Sequence, residues 1–174
     1  MKNIKKHIFI IGMMCSGKSS LAPILSKKLD VPFIDLDRDL VSILGIDIKE
    51  MFNTLTEKKF RLLESTYFLE HVKKSQHIYA TGGGLVLNKN NRLALSKYGI
   101  TIFLDTPIDL IYQRLIKDEK KERPLFIKSP NKKNLNQIWN ERKKYYTECA
   151  DLVTNTENKS LDIIAQEIIE YINQ

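Results

Sequence analysis

The chain has 174 residues, 43% of them hydrophobic and 28% charged, with a net charge of +7. That is enough apolar material for one domain with a real core, and too much for a disordered chain. No apolar run approaches the roughly 18 residues that would span a bilayer, and no nucleic-acid-binding motif or interleaving of aromatics accompanies the scattered lysines, so a membrane and nucleic acid are both excluded as partners. The positive charge reads either as a solvated surface or as an attraction for anionic ligands.

The N-terminal MKNIKKHIFIIGMM sets basic residues before an apolar run, as a signal peptide does. The run is short and leads into glycine-rich chemistry, so a cytoplasmic protein is expected. Residues 7–13 read as a buried strand, and 17–29 as a helix with Leu21, Ile24, Leu25 and Leu29 on one stripe and a local kink at Pro23. Residues 32–36 are a second strand. A helix-rich segment follows over 37–74, broken at Gly45, with Thr54 and Glu57 at the spacing of a capping box. Residues 77–83 form a third strand running into glycines. The next helix stops at Gly99, and 100–106 is a fourth strand. Thr106 and Pro107 then read as N-cap and first residue of a helix.

Residues 120–133 are polar, contain proline and lack a period, which predicts a loop or mobile lid. LNQIWNERKKYYTECA is helical, LVTN is a fifth strand, and SLDIIAQEIIEYIN closes the chain as an amphipathic helix. Cys15 and Cys149 lie far apart, match no metal spacing, and read as reduced thiols. Strand–helix alternation predicts an α/β fold of three layers, α/β/α, around a five-stranded parallel sheet. Ligands of such sheets gather at the carboxyl ends of the strands, which puts Gly12–Ser19, Asp35–Asp37 and Thr81–Gly84 on one rim.

GMMCSGKS, Gly12 to Ser19, fits G-x-x-x-x-G-K-[ST] between a strand and a helix, the context a phosphate loop requires. Its backbone N–H groups and the helix N-terminus face phosphate oxygens. Lys18 meets the β- and γ-phosphates, and Ser19 offers a hydroxyl to Mg²⁺. Cys15 reads as a small filler side chain in preference to a redox group. The loop names a phosphoryl donor and leaves the acceptor open.

On the acceptor side, Asp35 and Asp37 stand two apart; if extended geometry continues through Asp37, both face the rim. Asp39 falls away as a first-turn acid favoured by the helix dipole. Arg61 sits beside Phe60, Leu62 and Leu63, with Glu64 three residues on. A part-buried guanidinium there needs an anionic partner, the alternative being a surface Arg–Glu pair. Arg123 opens RPLF in the expected lid, where it would swing over a transferring phosphoryl group or be an ordinary loop arginine. Arg114 and Arg142 are ambiguous alone. Three glycines, Gly82–Gly84, let the backbone approach a ligand.

Taken together, GMMCSGKSS, FIDLDRDL, GIDIKEMF, EKKFRLLE, YATGGG, RPLF and RKKYYTECAD resemble the shikimate kinases in order and spacing, over nearly the whole chain from Ile8 to the last helix. The resemblance implies a P-loop kinase fold with a mobile lid, one domain over residues 1–174, and a substrate-binding segment over 37–74. It implies transfer of the γ-phosphoryl of ATP to the 3-hydroxyl of shikimate, with Mg²⁺ as cofactor. No exposed apolar stripe in the sequence demands a partner, so a monomer is expected.

By the same resemblance, Gly12, Met13, Met14, Cys15, Ser16, Gly17, Lys18, Ser19 and Ser20 surround the nucleotide phosphates. Ser19 and Asp35 hold Mg²⁺, the latter mostly through water. Asp37 binds the accepting hydroxyl. Arg61 and Arg142 grip the carboxylate, with Gly83 and Gly84 lining that pocket. Arg123 reaches the phosphates, and Arg114 lies against adenine near the TNT segment. Lys18, Asp37 and Arg123 are the catalytic set. The sequence departs from the family's usual pattern at Met14 and Cys15, where Gly or Ala is usual, at Thr56 for glycine, and at Lys144 for proline. The rival readings are a kinase for another small hydroxy acid such as gluconate or for a nucleotide, and a catalytically silent nucleotide-binding interaction module.

Overall fold

Apolar β-branched and aromatic runs short enough for strands, each followed by a helical period, build a parallel sheet. The computed structural model of the protein describes residues 6–117 and 131–174. Its five strands are β1 (His7–Ile11), β2 (Phe33–Asp35), β3 (Ile78–Ala80), β4 (Gly99–Asp105) and β5 (Leu152–Asn155). Every pairing is parallel, in the order β2-β3-β1-β4-β5. The described helices are α1 (Lys18–Leu29), α2 (Leu36–Leu44), α3 (Ile48–Thr54), α4 (Glu57–His71), α5 (Lys89–Tyr98), α6 (Ile108–Lys117), α7 (Lys132–Cys149) and α8 (Leu161–Ile172). None is long and apolar enough to cross a membrane.

Alternation along the strands divides the core. Phe9 and Ile11 of β1 face one way, with Tyr79 and Phe103, and pack on Phe68 of α4, Leu95 of α5 and Tyr146 of α7. Ile8 and Ile10 face the other way and pack on Leu21 and Leu25 of α1 and Ile164 and Ile168 of α8. The three-layer α/β/α architecture follows. A third cluster, Leu40, Met51, Phe52 and Phe60, binds α2, α3 and α4 to one another.

Several local expectations need correction. Thr54 is not a cap: it ends α3, where its hydroxyl donates to the Glu50 carbonyl. Thr56 caps α4, accepting from the Lys59 N–H at 3.3 Å. The threonine that replaces the family's usual glycine thus supplies the missing acceptor for an exposed helix end. The segment over 37–74 resolves into three helices, with Gly45 in the left-handed conformation (φ 69°) closing α2. Gly99 does not terminate α5 by a left-handed turn; its backbone is extended, and it opens β4. A Cβ there would stand 2.4 Å from the His7 carbonyl oxygen, so glycine serves the close approach of β4 to β1.

Thr106, expected to cap α6, donates its hydroxyl to the Ser16 carbonyl (3.4 Å) and accepts from Thr156 Oγ1 (2.8 Å). α1 continues through Pro23 to Leu29. Residues 131–133 of the expected lid belong to the start of α7, capped by Asn131. The rest of the lid, with Arg123, lies outside the described residues.

Candidate active site

The three predicted segments meet at the carboxyl ends of the strands, around a cavity of about 630 Å³. Residues Met14 to Ser20 of the phosphate loop line it, together with Asp35, Asp37, Thr81, Gly83, Arg114, Thr156 and Lys159. The phosphate loop wraps between β1 and α1. Lys18 is buried, and its Nζ donates to the carbonyls of Gly12 (3.0 Å) and Met13 (2.7 Å). Cys15 holds a left-handed backbone (φ 56°) that non-glycine residues seldom adopt. Met13, expected beside the nucleotide, has its side chain buried in the core, and neither it nor Gly12 lines the cavity.

The two acids reach the cavity by a route different from the expected one. β2 ends at Asp35, which caps α2: its Oδ1 accepts from the Arg38 N–H at 3.2 Å. Asp37 therefore lies in the first helical turn, not in a continuing strand, and both still line the cavity. Asp35 Oδ2 is buried and makes no hydrogen bond, with Arg38 Nε 3.9 Å away. Asp39 does sit in the first turn, where its carboxylate accepts from the Tyr67 hydroxyl. Among the described residues no group of three or more His, Cys, Asp and Glu gathers as a metal site.

Arg61 of α4 is no surface pair. Its Nη1 donates to Glu64 Oε2 at 2.8 Å, and Glu64 is only 4% exposed. The guanidinium also lies 5.1 Å from the Phe60 ring centre and 5.8 Å from that of Phe52. Burial works against the Arg61 charge, but the carboxylates of Glu64, Glu57 and Asp37 together, Glu64 foremost, hold the guanidinium's pKa above its ordinary value. Burial pushes Glu64 up, and Asp37 adds to this, while Arg61 and Arg142 oppose. Glu64 thus stands among three charged side chains, a role its spacing to Arg61 alone does not show.

The glycine run makes room for these side chains. A Cβ on Gly82 would fall 2.2 Å from Glu64 Oε1 and 2.8 Å from Asp37 Oδ1, and one on Gly84 would fall 2.3 Å from Arg61 Cζ. The expected close approach is to the protein's own functional groups. Arg142 of α7 is buried at 4% exposure, its Nε makes no hydrogen bond, and it abuts Gly83. Arg114 donates from Nη1 to the Cys15 carbonyl at 2.8 Å, tying α6 to the phosphate loop. Tyr146, to which no sequence motif assigns a role, donates its hydroxyl to the Gly83 carbonyl. Its only signal is the four-residue spacing from Arg142, which an ordinary core aromatic shares.

Known proteins resemble this chain in sequence and in fold. A family model described as shikimate kinase matches residues 14–173. The shikimate kinase of Pseudoalteromonas atlantica is 36% identical over 170 residues, covering 98% of each chain. That of Persephonella marina is 34% identical, covering 94% of this chain and 97% of its own. Among solved structures, shikimate kinase from Acinetobacter baumannii in complex with shikimate superposes with a TM-score of 0.91 at 28% identity, covering 97% of this chain and 93% of the other. Shikimate kinase from Aquifex aeolicus gives 0.81 at 32%, covering 96% of each. A gluconokinase from Sinorhizobium meliloti, covering 99% of this chain and 94% of its own, reaches only 0.60 at 15% and shares the fold alone. With relatives aligned from end to end and a family model reaching from the phosphate loop into the last helix, the chain belongs to the shikimate kinase family.

Proposed function

We propose that the protein transfers the γ-phosphoryl group of ATP to the 3-hydroxyl of shikimate. The observation that carries this reading is the placement of two arginines, Arg142 buried and Arg61 partly buried, against the glycine run beside the phosphate loop. A buried guanidinium with donors to spare calls for a planar anion, and a carboxylate fits its fork. A nucleotide acceptor would ask for a base pocket on that side.

The chain's residues then act by position and charge. Arg61, held by Glu64, and Arg142 grip the substrate carboxylate and fix the ring. Asp37 accepts a hydrogen bond from the attacking hydroxyl and orients it toward the phosphorus. Lys18, now turned to the loop carbonyls, exchanges those contacts for phosphate oxygens and offsets charge that moves to the leaving oxygen. Arg123 adds a second cation in this reading, and Arg114 flanks the nucleotide. Asp35 and Ser19 suit Mg²⁺: Asp35 Oδ2 is a buried oxygen without a hydrogen bond on the wall it shares with Ser19. When bound, Mg²⁺ would neutralise phosphate oxygens there.

An ADP-release assay across acceptors tests the reading. Shikimate-dependent release with Mg²⁺ and ATP is expected, with little from gluconate or nucleoside monophosphates. Turnover of gluconate without turnover of shikimate would replace the acceptor, and nucleotide binding without turnover of any acceptor would favour a silent binding module.

A further inference from the structure

Tyr146 occupies α7 one turn after Arg142 and is completely buried. Its ring stacks on Phe103 of β4 with centroids 5.2 Å apart. The hydroxyl donates to the Gly83 carbonyl at 2.5 Å, and Met13 Sδ lies 3.8 Å away. Arg142 also faces this hydroxyl and draws the phenol's pKa down, against the burial that pushes it to about 12.

Gly83 is itself confined. A Cβ on it would sit 3.3 Å from the Met14 nitrogen, 3.4 Å from the Gly12 oxygen and 3.5 Å from Arg142 Nη1. The glycine run is therefore pressed between the phosphate loop and α7. A buried tyrosine hydroxyl needs one partner and would be satisfied by many carbonyls. This one has the carbonyl at the seam between the two halves of the site, and its other neighbour is a side chain of the phosphate loop.

We propose that Tyr146 is a positioning residue that couples the acceptor side to the phosphate side. Its hydroxyl keeps Gly83 and Arg142 in register with the phosphate loop, so that filling either side favours the other. The inference rests on the shikimate kinase reading and adds to it a residue that touches neither substrate. Such coupling is reciprocal and is measured as a change in one ligand's affinity on saturating the other site.

The test is calorimetric titration of ADP with and without saturating shikimate, on wild type, Tyr146→Phe and Tyr79→Phe. Tyr79 is an equally buried tyrosine of the same core, and its hydroxyl donates to the His71 carbonyl at 3.1 Å, outside the site. In wild type, shikimate is expected to tighten ADP by about fivefold or more. Tyr146→Phe should bring that ratio to about one and raise KM for shikimate more than it lowers kcat. Tyr79→Phe should lower the unfolding midpoint while keeping the wild-type ratio.

A Tyr146→Phe protein with the wild-type ratio overturns the inference, as does a wild type that binds shikimate without tightening ADP. A Tyr79→Phe protein that loses the ratio equally reduces Tyr146 to general packing and also overturns it. Wild-type protein that neither binds nor phosphorylates shikimate overturns the function reading itself, a result distinct from these.

Discussion

At the scale of single residues, the site depends on side chains whose charge is held in a chosen place. Arg61 lies within reach of Glu64 at 2.8 Å and Glu57 at 3.6 Å, so its fork is oriented before any ligand arrives. A lysine would keep the charge and lose the planar fork. Arg61→Lys is expected to raise KM for shikimate at least about tenfold, the scale of one weakened charge-assisted pair, with ADP affinity little changed. Steady-state kinetics with each substrate varied check this, and an unchanged KM with normal turnover would remove Arg61 from the acceptor site. Asp37→Asn keeps shape and removes the carboxylate, so kcat should fall by about 10²-fold or more while ADP affinity holds. If the variant weakened ADP binding alone, the hydroxyl assignment would be wrong. Arg61 and Glu64 were legible because a helix places residues three apart side by side. Asp35 and Asp37 both line the cavity, but not by the extended geometry expected of them, because the side chain of Asp35 ends β2 by capping α2 and no alternation survives beyond it.

At the scale of elements, strand and helix identities followed from hydrophobic period, and boundaries failed where a side chain chose between competing jobs. Thr54 and Thr56 both precede an acid on a helical run, yet only Thr56 reaches an open N–H, since Thr54 is already spent on α3. Gly84 and Gly99 look alike in sequence, but the same added methyl would meet different obstacles. At Gly84 it meets the end of the Arg61 side chain, 2.3 Å away, which can move. Gly84→Ala should therefore leave the unfolding midpoint nearly unchanged and raise KM for shikimate, because the guanidinium is pushed from its seat. At Gly99 the methyl meets the His7 backbone oxygen at 2.4 Å, which is fixed by the β1–β4 pairing. Gly99→Ala should cost stability on the order of 1–3 kcal/mol, read by chemical denaturation, with KM unaffected in the fraction that folds. The reverse pattern, stability lost at Gly84 and KM raised at Gly99, would contradict both placements. The sequence announces three glycines as a close approach and is silent on what approaches, because the approaching groups come from α2, α4 and α7.

At the scale of the whole molecule, the sheet has to hold its two covering layers together, and His7 joins three parts of the chain. It opens β1; its Nε2–H donates to the Val72 carbonyl just past α4 at 3.0 Å, and its Nδ1 accepts from the His77 N–H before β3 at 3.1 Å. Because Nδ1 must accept, the ring is neutral in this arrangement, and a second ring proton would face the His77 donor. Burial lowers the His7 pKa below its ordinary value, and the neighbouring His77 lowers it further, against the Val72 bond. A histidine whose folded pKa is depressed binds fewer protons folded than unfolded between the two pKa values. Its contribution is therefore fully present above the unfolded value of about 6.5 and is lost as pH falls through it toward the folded value. The slope for one proton cannot exceed about 1.4 kcal/mol per pH unit. Urea unfolding at about pH 7.5 and about pH 5.5 should show wild type losing more stability than His7→Gln, whose amide is able to donate to one carbonyl and accept from one N–H without titrating. An equal loss in the two proteins would mean that His7 carries none of the acid sensitivity, and that its two hydrogen bonds survive protonation.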